Sequence, residues 1–147
     1  MLYLLSEEKE QVDFHTKVKY LYNSGFSKRA VGYLENTGKR YAFLSFTYGL
    51  LLPEEYIDPY KVERLGAKKE ELWAVMVGIQ ISNLVEMGES ICLLYSEGLY
   101  GKLEDIIRKG YRIKDPIKNF GSNELKILKL EEMIKGEVEN RLKGRID

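Results

Sequence analysis

Strands alternating with helices predict an α/β domain, with a mostly parallel central sheet of about four strands and helices on both faces, a three-layer arrangement. Three observations carry this. Short apolar runs of strand length recur along the chain, stretches of helical spacing separate them, and Ser90 to Tyr95 is the kind of continuous apolar run expected of a strand buried on both faces. The 147 residues fit one domain spanning 1–147, with no repeat, low-complexity tract or linker to divide it.

The first strand is Met1 to Leu5, after which Ser6 to Gln11 turns polar. From Thr16 to Leu34, Val18, Leu21, Tyr22, Phe26, Ala30, Val31 and Leu34 recur at threes and fours, which predicts two helical pieces broken at Gly25. Asn36-Thr37-Gly38 stops the second piece, and the aromatic-rich Arg40 to Phe46 is the second strand. Gly49, Pro53 and Pro59 make Tyr48 to Tyr60 a loop with at most a short helical turn. Lys68 to Met87 is the longest helix before the carboxyl-terminal one, and Ser90 to Tyr95 the next strand. Lys102 to Lys109 resumes helical spacing, Tyr111 to Ile113 adds a short strand, and Asn123 to Leu142 closes the chain as an amphipathic helix. In such sheets ligands meet the loops beyond the carboxyl ends of the strands, here Ser6 to Asp13, Thr47 to Tyr60 and Ser96 to Tyr100.

Composition narrows the function classes. Lys plus Arg and Asp plus Glu both number 23, so no global field draws the chain to nucleic acid or an acidic membrane, and a charge-driven partner must use a local patch. The apolar runs are too short to span a membrane, so no membrane partner is expected. The single cysteine, Cys92, and the lack of a tripartite leader predict a cytoplasmic location, and the scarcity of Gln and Cys beside abundant Lys, Glu, Ile and Tyr points to a thermophilic source. One His and one Cys cannot make a zinc site, and no glycine-rich phosphate loop or nucleophile elbow is present, so neither metal nor cofactor is expected. Glu54, Glu55 and Asp58 allow a carboxylate Mg²⁺ site, with solvated loop acids as the simpler reading. His15, ahead of a helix start, suits a cap or a phosphate contact.

Between Phe14 and Leu34, Lys17, Lys19, Lys28 and Arg29 are interleaved with Tyr20, Tyr22, Phe26 and Tyr33, and no acid falls among them. Cations for phosphates and rings for bases make this a candidate DNA or RNA face; the same pattern also arises when the aromatics face a core and the lysines face water.

The phrase Phe43-Leu44-Ser45-Phe46-Thr47-Tyr48-Gly49-Leu50-Leu51, then Pro53, Ile57 and Pro59-Tyr60, resembles the "Ser-Ala-x-Tyr-Gly-Leu-Leu, x-Pro, Ile-x-Pro-Tyr" motif of the YaaA-like group, which holds a peroxide-stress protein and related domains of unknown function. Tyr22-Asn23-Ser24 followed by Phe26, the stretch Leu94 to Tyr100, and Pro116, Ile117 and Gly121 resemble further features of that group, so the likeness spans roughly residues 14–130. It implies a role around DNA or nucleobases, in protection or modification, without an agreed reaction. Two departures stand out. The group's Ser-Cys with following lysines is Leu5-Ser6-Glu7-Glu8-Lys9 here, and a lysine common before the motif tyrosine is Thr47, which removes the obvious cation from that loop.

Three functions follow as expectations. In the first, a nucleic-acid or nucleobase-binding domain, Tyr48, Gly49, Tyr60, Tyr22 and Ser24 line a base-sized pocket and Lys17, Lys19, Lys28 and Arg29 lie near phosphates. Packing of Tyr48 and Tyr60 against the sheet is the alternative role for those rings. The second is a base-excision or base-exchange enzyme with Glu54, Glu55 or Asp58 as its catalyst. The third is an interaction protein that forms a homodimer through Leu125, Leu128, Met133 and Val138 of the carboxyl-terminal helix.

Overall fold

A computed structural model describes residues 1–96, 98–117 and 123–146. Its centre is strand β1 (Leu2–Ser6), whose alternate side chains enter two separate cores. Tyr3 and Leu5 point to one face of the sheet, where helices α1 (Val18–Leu21) and α2 (Gly25–Asn36) bring Val18, Leu21, Ala30 and Leu34. Leu2 and Leu4 point to the other, where α3 (Ala67–Ser82) and α4 (Gly101–Ile107) bring Trp73, Val77, Ile81, Leu103 and Ile107. Strand β1 lies parallel to β3 (Arg40–Ser45), with Leu4 opposite Ala42, and on its other side to β6 (Ser90–Leu93), with Leu4 opposite Leu93. Strand β7 (Arg112–Lys114) follows in parallel beside β6.

The sheet has five strands, one more than its local pattern suggests. The extra strand is β4 (Gly49–Leu51), antiparallel to β3 at the edge, inside the stretch that reads as loop. Ser45 and Gly49 pair across a three-residue turn in which Gly49 adopts φ 80°. The Ser45 hydroxyl accepts the amides of Thr47 and Tyr48 at 3.2 and 3.1 Å, which holds that turn. A second departure lies at Thr16. The expected helix start there is β2 (Thr16–Lys17), paired antiparallel with β5 (Tyr56–Ile57), and α1 begins only at Val18. Both strands of this ladder are two residues long and pair across a large sequence separation, so neither leaves a period for a sequence to reveal.

Strand order β4-β3-β1-β6-β7 creates a topological switch point. From β1 the chain crosses by α1 and α2 to β3 on one side, then returns by α3 to β6 on the other, so the two crossovers part and leave a crevice beyond the carboxyl ends of β1 and β6. Helix α5 (Asn123–Ile146) packs along α2. Its Leu130 is fully buried and Met133 and Ile134 pack on the same core, so part of the stripe expected to join a second copy is used internally. Leu128 is exposed, and the side chains of Leu125 and Val138, like Gly121, lie outside the described residues.

Gly49 faces α3 rather than the crevice. A Cβ there would sit 2.9 Å from Gln80 Oε1 and 3.1 Å from Met76 Cε, and Gln80 Oε1 already accepts the Leu50 amide. Adding the positive φ, Gly49→Ala is expected to destabilise the fold by about 1–3 kcal/mol, measured by urea denaturation.

Candidate functional site

The crevice at the switch point is a cavity of about 200 Å³. Apolar walls come from Leu5, Phe26, Leu94, Tyr95 and Leu99, and polar groups from Ser6, Glu7, Glu8, Ser27, Ser96 and Lys126. Three consecutive residues leaving β1 divide the work. Ser6 bonds the Tyr100 hydroxyl at 2.8 Å, and that hydroxyl also donates to the Leu44 carbonyl. The Glu7 side chain is buried; its Oε1 accepts from the Tyr60 hydroxyl at 2.6 Å and its Oε2 from the Phe46 amide at 2.8 Å. Glu8 reaches the amino end of α2, where its carboxylate accepts from the hydroxyls of Ser24 and Ser27, each at 2.7 Å. Ser24 is also the α2 cap, accepting the Ser27 amide at 3.1 Å, so a single serine fixes both the helix start and the acid.

Behind Glu7 stands a row of tyrosines. Tyr22 and Tyr60 hydroxyls lie 2.6 Å apart; with Tyr60 donating to Glu7, Tyr22 donates to Tyr60. Burial pushes both phenols well above the ordinary tyrosine value. On the other side of the crevice Glu104 holds the loop after β6. It accepts the amides of Gly98 and Tyr100 at 2.8 and 3.1 Å and the Tyr95 hydroxyl at 3.1 Å. Lys126 of α5 donates to Ser96 at 2.7 Å, bringing a cation to the rim.

The residues expected from sequence separate into three groups. Tyr60 and Ser24 flank the crevice floor as hydrogen-bonding partners of Glu7 and Glu8, and Tyr22 reaches Glu7 only through Tyr60; none of the three lines the cavity. Tyr48 is exposed and meets Tyr60 edge to face at 5.0 Å, outside the cavity. The remaining candidates lie elsewhere and largely consume one another. Glu54 binds Lys17 at 2.7 Å and Lys19 at 2.6 Å, and Lys19 also binds Glu35. Arg29 pairs with Glu131 at 2.9 Å, while Lys28 is exposed. Asp58 pairs at 2.8 Å with His15, whose ring stacks on Tyr56; His15 caps no helix. Glu55 is exposed, and its backbone carbonyl accepts the Val18 amide. Glu54, Glu55 and Asp58 thus form no cluster of metal-ligating groups, and none appears elsewhere among the described residues. Cys92 is a buried core residue whose thiol is pushed up to about 12 by burial.

Glu7, Glu8, Ser27, Ser96 and Lys126 escape a reading by motif. A faint signal existed in two acids placed directly after a buried strand, at the point where the chain departs from the motif it resembles.

Burial raises the Glu8 carboxyl above the ordinary value, and Glu10 adds to the rise; hydrogen bonds from Ser24 and Ser27 and the charge of Lys126 oppose it. The folded chain therefore holds the Glu8 proton more tightly than the unfolded chain. This favours folding while Glu8 is protonated, and the advantage shrinks as pH rises from the ordinary carboxylate value through the raised one. Urea midpoints compared across that window are expected to show a smaller loss with rising pH for Glu8→Gln than for the native chain.

No curated protein matches this sequence. A family model described as a family of unknown function (DUF6884) matches residues 2–129, from the first residue of β1 into α5 and so across every segment that builds the crevice; the chain belongs to that family.

Proposed function

We propose that this three-layer α/β domain is a nucleobase-binding module whose ligand enters the crevice between the ends of β1 and β6. One observation carries the reading: a cavity of about 200 Å³ with apolar walls has two glutamates, three serines and a lysine among its lining residues. Phe26, Leu94 and Leu99 suit the faces of a flat ring, while Glu8 offers acceptors to the ring N–H and exocyclic amino groups of a base edge. Ser96 and Lys126 supply donors for its carbonyl or ring-nitrogen acceptors, and the Ser27 hydroxyl holds Glu8 in place. Further support is the likeness to the YaaA-like group, whose tyrosine and serine motifs correspond to Tyr22, Ser24, Ser45 and Tyr60 around the crevice floor.

The charge pattern favours a ligand of base or nucleoside size over a polymer gripped by its phosphates, because Lys17, Lys19 and Arg29 are already paired with acids. Calorimetric titration with free bases and nucleosides is expected to find one or more ligands whose affinity changes little between low and moderate salt. Ser27→Ala should weaken that binding and Lys28→Ala should leave it intact. Heat from none of the bases would overturn the proposal. So would binding only to DNA or RNA that fades with salt and with loss of Lys28.

A second reading, cleavage or exchange at an N-glycosidic bond, is favoured by the raised Glu8 carboxyl standing in a cleft beside another carboxylate. Glu8 then replaces Glu54, Glu55 and Asp58 as the acid–base group. Nucleosides, oligonucleotides and tRNA incubated with the protein should release free base, with a rate that falls by about 10²-fold or more in Glu8→Gln. Absence of released base from all three substrate classes, including at elevated temperature, removes this reading and leaves the binding module.

A further inference from the structure

Helix α3 buries Trp73, Ala74, Val77 and Ile81 against the sheet, yet its opposite face is apolar too. Leu72, Val75, Met76 and Ile79 are 75, 54, 46 and 59 % exposed, and their spacing of three and four places them on one line along the helix. An apolar stripe of this length facing water marks a contact surface. The charges left without an ion-pair partner at its two ends are opposite, because Glu70 and Glu71, which follow the lysines at the amino end, pair with Arg64 and Lys102. Lys68 and Lys69 stand in the first turn, where the helix dipole disfavours cations, while Glu86 follows the last turn, beyond the free carbonyls of the helix end. Among the described residues none of these three forms an ion pair.

We propose that this face pairs with α3 of a second copy, antiparallel about a two-fold axis passing between Val75 and Met76. Self-complementarity selects this occupant. The stripe is symmetric about that point, so Leu72 meets the partner's Ile79 and Val75 meets the partner's Met76, as an isologous interface requires. The same rotation carries Lys68 and Lys69 to the carboxyl end of the partner helix, toward the partner's Glu86, and sets the two helix dipoles side by side and antiparallel. Parallel pairing would put like charges together at both ends. The contact leaves the crevice open, because no residue of the stripe lines it.

Sedimentation velocity on the full chain over about a hundredfold range of concentration is expected to show a monomer–dimer equilibrium. Ile79→Glu should weaken it by about a hundredfold or more while thermal unfolding of the monomer is little changed, since Ile79 is exposed. Reversing both lysines, Lys68→Glu with Lys69→Glu, should weaken the dimer by about tenfold, and adding Glu86→Lys should recover most of that loss. A chain that stays monomeric throughout, a dimer indifferent to Ile79→Glu, or a charge reversal that Glu86→Lys does not rescue would each overturn the pairing.

Discussion

The Glu7 carboxylate is the constraint on which the rest of this molecule depends. A buried acid without partners costs several kcal/mol, so its donors must come from wherever the chain can supply them. One comes from the Phe46 amide, 39 residues on, and the other from the Tyr60 hydroxyl, 53 residues on. These two bonds carry the β1–β3 ladder on into the turn after β3 and tie it to the segment beyond β5, which no ladder joins to the five-stranded sheet. Tyr22 extends the network to the α1–α2 junction through Tyr60. Because Glu7 is anchored inward, its neighbours Ser6 and Glu8 are set at the mouth of the crevice, and the same residue that organises the fold orients the site.

Segments with their own local period are legible in the sequence alone. Leu2 to Leu5, Tyr41 to Leu44 and Ile91 to Leu93 announce strands, and Val77 and Ile81 beside Trp73 announce a buried helix face, because each pattern is complete within a few residues. Strands β2, β4 and β5 were not legible, since two or three residues carry no period and their identity rests on a partner. Gly49 reads as a loop signal and is one, but it serves a tight hairpin rather than an open binding loop.

The crevice was half legible for a related reason. The loops beyond the strand ends are predictable from α/β topology, and Tyr22, Ser24 and Tyr60 stand out in their phrases. Their partners do not, because an acid pair such as Glu7-Glu8 after a strand ordinarily means the chain is emerging into water. Lys17, Lys19 and Glu54 show the converse: cations and an acid 37 and 35 residues apart look like separate features until the β2–β5 ladder brings them together and cancels them. Lys126 reaches the rim only because α5 packs on α2, a contact no local pattern announces.

Both borders of the sheet end in three-residue strands of different character. Along β4 the backbone is short and closed by a hairpin, and along β7 the exposed side chains are Arg112 and Lys114, with Pro116 just beyond. A neighbouring chain seeking to extend the sheet would find few free amides at either border, and charge or proline beside those of β7. The hydrogen-bonding surface that makes many sheets prone to runaway stacking is thereby withheld, which suits a chain whose aromatic-rich strands, if unguarded, would favour fibrils.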